Sequence, residues 1–306
     1  MKNIYFISIF FFININLFSQ QLYINEIMSS NDTTIGDFDG DYTDWIEIYN
    51  NTPDSINLAG YFLSDDTTNY FQWSFPNVSI QAYDFLIIWA TLKDTVYPNL
   101  ELHTNFKISA LGETISLYSP DSSVLVDQII LGPLDTDYSY GRQPDGGTNL
   151  VIYIEPSPGY PNATTGFIGY IDPPTFSQIA GFYTDSFYLF LSSQNSLDSI
   201  YYTLDGSEPT INSNIFSDSI LVSSRIGEPN GISEIQTATD LGIIFDYWSP
   251  PDGEVFKINV VRARVIKSGY LPSDVITKSY LVDTNMFNRY TFPIISLNTD
   301  SFLIFI

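Results

Sequence analysis

The sequence predicts an all-β protein built as two sandwich-like modules in tandem. Three observations carry this. Short runs of β-type residues recur between clusters of Asn, Asp, Gly, Pro and Ser, the spacing expected of sandwich strands and their turns. Aromatic residues reach 16%, mostly 22 Tyr and 23 Phe, and these favour pleated, half-buried surfaces. A hydrophobic content of 44% supplies real cores and excludes a disordered polymer. At 306 residues the chain has room for about two domains.

The N-terminus sets the first boundary. Lys2 precedes an apolar run from Ile4 to Phe18, broken by Asn14 and Asn16 and closed by Ser19-Gln20-Gln21. This reads as a secretory signal peptide over residues 1–20, cleaved near Ser19 or Gln20. The alternative is an uncleaved anchor, against which the run is shorter than the ~20 apolar residues that span a bilayer. The expectation is a secreted or cell-surface protein with no membrane insertion after cleavage.

The first module is expected over 22–163. Its candidate strands are Leu22–Met28, Trp45–Tyr49, Tyr61–Leu63, Gln72–Phe75, Phe85–Ala90, Thr114–Tyr118, Val124–Ile130 and Leu150–Ile154. They show no convincing helical periodicity. Within Trp45–Tyr49, Trp45, Glu47 and Tyr49 share one face, and Ile46 and Ile48 share the other. A linker follows over 164–172. The second module is expected over 173–284, with strands Tyr183–Ser192, Ser199–Leu204, Val255–Val265 and Thr277–Val282. Turns fall at Asp205-Gly206-Ser207-Glu208-Pro209-Thr210 and at Ser268–Ser273.

Charge and cysteine content narrow the function. Acidic residues number 35 against 11 basic, a net charge of −24. Phosphate binding needs clustered Lys and Arg, so the charge argues against nucleic acid as a partner and equally against anionic membrane surfaces. The acidity suits an extracellular protein able to hold hard cations, and equally one that uses charge for solubility. With no cysteine, disulfides, Cys-zinc sites and thiol nucleophiles are all excluded.

The most chemical stretch is Asp37-Phe38-Asp39-Gly40-Asp41-Tyr42-Thr43-Asp44. Alternating carboxylates around a glycine resemble the start of a Ca²⁺ loop, since Ca²⁺ takes six to eight oxygens and a tight turn lets several Asp converge. Asp37, Asp39, Asp41 and Asp44 are the candidate Ca²⁺ ligands, with Asp65 and Asp66 available from another loop. The EF-hand pattern is incomplete, lacking its twelfth-position Glu and flanking helices. The same residues also read as an Asp/Gly-rich turn entering the Trp45 strand. The single histidine, His103, has no nucleophile or carboxylate grouped with it in sequence and reads as an ordinary packed or surface residue. Tyr247 and Trp248 offer a ligand-stacking platform or the underside of their own loop.

Longer strings resemble known families. INEIMSSNDTTIGDFDGDYTDWIEIYNNTPDSINLAGYFLSDD resembles the opening of bacterial lamin-tail domains. LHTNFKISALGETISLYSPDSSVLVDQI, YSYGRQPDG and PSPGYPN continue the resemblance in order. It implies an immunoglobulin-like sandwich that serves as an accessory module of exported multidomain proteins. IYYTLDGSEPT and VVRARVIKSGYLPSDVITKSYLV resemble the chitobiase/β-hexosaminidase C-terminal domain, a second immunoglobulin-like sandwich. The hexosaminidase catalytic carboxylates belong to a separate domain, so Asp205 and Glu208 read as turn residues. The insert at about Phe216–Asp252 resembles the stretch upstream of CotH kinase-like domains. Asn288–Asp300, within 288–306, resembles the first strand of such a domain, and its ending predicts that the parent reading frame continues.

The functional expectation is therefore a pair of exported, non-catalytic binding or positioning modules, with an extracellular polysaccharide or surface protein as partner. One alternative is the leading segment of a CotH-type secreted protein kinase. Another is a spacer stabilised by Ca²⁺.

Overall fold

The computed structural model describes residues 21–97, 101–121, 124–235, 249–289 and 294–296. The expected signal peptide and the pair Tyr247 and Trp248 lie outside them. The fold is all-β, and the chain divides into two compact units, Met1–Gly166 and Phe167–Ile306.

In chain order the first unit begins with β1 (Leu22–Met28), β2 (Trp45–Asn50), β3 (Ile56–Asn57), β4 (Phe62–Ser64), β5 (Trp73–Ser74) and β6 (Ser79–Ile80). It continues with β7 (Phe85–Trp89), β8 (Thr95–Val96), β9 (Leu102–His103) and β10 (Thr114–Tyr118). It closes with β11 (Leu125–Ile130), β12 (Ser139–Gln143) and β13 (Asn149–Tyr153). A seven-stranded sheet runs β13-β12-β1-β2-β7-β9-β8, and a four-stranded sheet runs β11-β10-β4-β5. The alternation read from the sequence builds the core between them. Ile24, Ile46, Ile48 and Ile88 of the large sheet pack with Leu63, Trp73, Ile115, Leu117 and Ile129 of the small one. Trp45 faces the other way and is fully buried with Met28 and Trp89 in a second cluster, so the outer face of the large sheet is also covered.

The register of β1 against β2 shifts between Ile24 and Glu26, leaving Asn25 as an extra residue. Such a bulge re-aims side chains at a sheet. It places Glu26 directly opposite Glu47. Strand β12 was not expected from the sequence, because Gly141 and Arg142 are poor strand signals. The glycine is required there by packing. A Cβ on Gly141 would stand 2.7 Å from the Asn25 carbonyl oxygen and 3.1 Å from Glu26 Cγ.

The second unit contains β14 (Thr175–Phe176), β15 (Gly181–Tyr183), β16 (Phe187–Leu189), β17 (Leu191–Ser192), β18 (Ser199–Thr203) and β19 (Asn214–Ile215). It ends with β20 (Ile220–Val222), β21 (Asn259–Ile266) and β22 (Ile276–Val282), then a one-turn helix α1 (Met286–Arg289). Its main sheet runs β15-β22-β21-β18-β19, beside the pairs β16-β20 and β14-β17. Leu189, Ile200, Val222, Val261, Ala263, Val265, Tyr280 and Val282 form its core. The expected single strand Tyr183–Ser192 is three pieces in three different ladders, since Thr184–Ser186 and Phe190 interrupt it. Of the strand expected over Asn288–Asp300, Asn288 and Arg289 instead close α1 and residues 294–296 form no strand, while the rest of the segment lies outside the described residues.

Candidate functional site

The acidic loop is organised from its own first carboxylate. Asp37 Oδ1 accepts the backbone N–H of Asp39 at 3.0 Å and of Asp41 at 2.9 Å. The Asp37 N–H returns to the Asp41 carbonyl at 2.9 Å. Gly40, at φ 82°, supplies the left-handed step this closed turn needs. The turn brings Asp37, Asp39 and Asp41 together, with carboxylate oxygens within 4.8 Å of one another.

At their centre stands an ammonium group. Lys93 Nζ donates to Asp37 at 2.7 Å, Asp39 at 2.9 Å and Asp41 at 3.3 Å. Lys93 sits on the turn after β7 between two left-handed residues, Leu92 at φ 65° and Asp94 at φ 46°. Such conformations cost of order 1–3 kcal/mol each and persist where the surroundings hold them. The turn is held by Leu92 N–H on the Phe106 carbonyl and Asp94 N–H on the Thr104 carbonyl. Desolvation opposes the Lys93 charge, but the bonds to Asp37, Asp39 and Asp41 outweigh it and hold the ammonium above the ordinary lysine range. Tyr97 donates to Asp39, and with Lys93 it keeps the Asp39 carboxyl below its usual value. Glu101 completes the rim by accepting the Phe38 N–H at 2.9 Å.

Asp44 stands apart from this group. It is half-buried, and desolvation pushes its carboxyl up to about 6 against the N–H that Ile108 donates. Asp66 serves another turn, accepting the Thr68 N–H at 2.8 Å. The loop thus carries its own cation, which the sequence does not advertise because Lys93 lies more than fifty residues from Asp37.

That arrangement predicts how the loop responds to metal. In the native chain the melting midpoint is expected to be the same in EDTA and in millimolar Ca²⁺. Lys93→Gln leaves three convergent carboxylates without a counter-charge and is expected to lose about 1 kcal/mol. Millimolar Ca²⁺ should raise the midpoint of that variant alone, because a ligand that binds only the folded state stabilises it. Parallel melts of the two chains check this.

His103 is buried against the same region. Thr91 Oγ1 accepts the Lys93 N–H at 3.2 Å and shares a hydrogen bond with His103 Nδ1 at 3.0 Å. Desolvation first, then the Lys93 charge, hold the imidazole below its ordinary pKa. Both side chains are buried, and the Tyr97 ring lies 4.9 Å from the imidazole. The pair is a packed polar contact among the described residues.

Asp205 and Glu208 of the second unit are also spent on structure. Asp205 Oδ1 accepts the Ser207 N–H at 3.0 Å and hydroxyl at 2.6 Å, which lowers its pKa. Glu208 pairs with Arg264 at 2.8 Å. Beside this turn is an open cleft of about 440 Å³, lined by Tyr202, Thr203, Asp205, Ser207, Asn212 and Asn214 among others. Its lining is rich in hydroxyls and amides, with one carboxylate.

Two family models match the chain. Residues 19–132 match the Lamin Tail Domain, and residues 189–280 match a domain described as Fn3 associated. Both families are non-catalytic. No curated protein matches the chain. The first match ends before β12 and β13, which nevertheless complete the large sheet of that unit.

Proposed function

We propose that the lamin-tail and Fn3-associated units act as non-catalytic modules of an exported protein, binding an extracellular polysaccharide or surface protein and positioning whatever is joined to them. The observation that carries this reading is the match of each compact β unit to a non-catalytic domain family. Export rests on the Lys2 and Ile4–Phe18 signal pattern. The charge of −24 supports a partner that is not a polyanion.

Among the described residues, the surface suited to a neutral glycan is the cleft at the turn that joins β18 to β19. Glycan hydroxyls pair with small polar side chains, and Tyr202, partly buried against the core, borders the same cleft. A glycan array with the mature chain should therefore yield neutral polysaccharide hits. Tyr202→Ala and Asn214→Ala should each weaken them about tenfold, the size of one lost polar or ring contact. An array and pull-down without hits would leave a spacer role. The sequence from Asn288 also supports a second reading, in which these modules lead into a CotH-type kinase domain, and the downstream reading frame tests it.

A further inference from the structure

Two glutamates of the first unit are used by nothing described so far. Glu26 and Glu47 face each other across β1 and β2, and both are fully buried. Opposed carboxylates on neighbouring strands lie close enough for like charges to destabilise the pair. What hides them from water is a strap, residues 155–162, that follows β13 across the outer face of the sheet.

The strap is built for this by its sequence. Pro158 and Gly159 form the centre of a turn closed by the Tyr160 N–H on the Ser157 carbonyl at 2.9 Å, with Gly159 at φ 80°. That is the proline-glycine order of a type II turn. The strap is fastened mainly to carboxylates. Ser157 N–H donates to Glu26 at 3.2 Å, Gly159 N–H to Glu47 at 2.7 Å, and Asn162 N–H to Asp145 at 3.0 Å. Asn162 Nδ2 adds a bond to the Arg142 carbonyl at 2.9 Å.

The bonding partners distinguish the two acids. Glu47 receives only N–H groups, from Asn25 Nδ2 at 2.9 Å and from Gly159. These cannot accept a proton, so Glu47 suits the anion. Glu26 is bonded to the hydroxyls of Ser139 and Ser157, which can accept from a carboxylic acid. The other ionisable groups nearby do not neutralise the pair. Asp145 adds negative charge from the turn after β12. Tyr153 on β13 gives its hydroxyl to the Arg142 carbonyl at 3.0 Å. The Arg142 guanidinium is committed to Asp127, to the Ile24 carbonyl and to the Gly147 carbonyl. Glu155 on the strap is exposed.

We propose that Glu26 and Glu47 form a proton-operated latch: one proton, carried by Glu26, keeps the strap docked, and its loss frees the strap by leaving two anions opposed beneath it. The strap yields first because lifting it is the shortest way to hydrate the pair, while the strands are fixed by their ladders. Burial raises both carboxyls, Glu26 to about 7, and the charge of each opposes ionisation of the other, so the pair holds one proton between them, and the hydroxyl partners of Glu26 place it there. A folded-state pKa above the ordinary value means that docking is strongest below pH 4.5 and weakens as pH climbs through about 7.

Carboxyl-carbon NMR of the mature chain, paired with hydrogen exchange at the Ser157 and Gly159 amides, tests this between pH 5 and 9. Glu26 should titrate near neutrality. Exchange protection of both amides, corrected for intrinsic rates, should fall about tenfold or more over that range. In Glu26→Gln, whose amide stands in for the protonated acid, protection should stay level. Titration of Glu26 at the ordinary glutamate value, level protection in the native chain, or an unchanged fall in Glu26→Gln would each overturn the latch. If that variant does not fold, the native titration alone decides.

Discussion

Arg142→Met is expected to be among the most destabilising single changes in the first unit, costing about 3–5 kcal/mol. The guanidinium binds both oxygens of Asp127, at 2.8 and 2.9 Å, and its Nε donates to the Ile24 carbonyl at 2.9 Å. Asp127 also accepts the Ile24 N–H at 2.7 Å, so one ion pair ties β11 of the small sheet to β1 and β12 of the large one. Both side chains are buried. Methionine fills similar space but leaves an uncompensated carboxylate, and that penalty exceeds the value of the pair itself. Urea denaturation should show it, and the thermal midpoint should fall by on the order of 10 °C. Removing both charges in Arg142→Met/Asp127→Ala should recover part of the loss. It should not recover all, because the backbone groups of Ile24 lose their partners as well.

Tyr280→Ala is expected to have a comparable effect on the second unit, about 3–5 kcal/mol. Tyr280 is fully buried at the centre of that core, with the Phe187 and Tyr183 rings at 5.4 and 6.0 Å. Truncation removes the largest side chain shared by β22 and its neighbours, and strands fixed in a ladder cannot close the cavity. Tyr280→Phe keeps the ring and loses only the hydroxyl bond to the Gln178 carbonyl, 3.2 Å long. It should cost about 1 kcal/mol. Denaturation of the two variants side by side separates the packing contribution from the polar one.

Much of the first unit was legible because period-two alternation carries fold information locally. Trp45–Tyr49 illustrates it: Ile46 and Ile48 enter the main core, and Trp45 turns to the opposite face. The short strands β3, β6, β8 and β9 were not legible, since two residues carry no period. β12 was hidden for another reason. Its residues Gly141 and Arg142 are chosen for close approach to Asn25 and for the Asp127 pair, neither of which is a strand preference. In the second unit, an apparently continuous strand was divided among three ladders.

The candidate site divides along the same line. The sequence by itself determined the β class, the two-unit organisation, the acidic loop and the convergence of Asp37, Asp39 and Asp41, because each follows from local turn chemistry or strand period. Only the tertiary structure decided that Lys93 would meet those carboxylates and that Asp44 would stand elsewhere. It also buried Glu26 against Glu47 beneath the strap. These are pairings between segments far apart in the chain. Backbone preference is local, whereas the free energy of a charge depends on what surrounds it in space, so no spacing rule could have announced them.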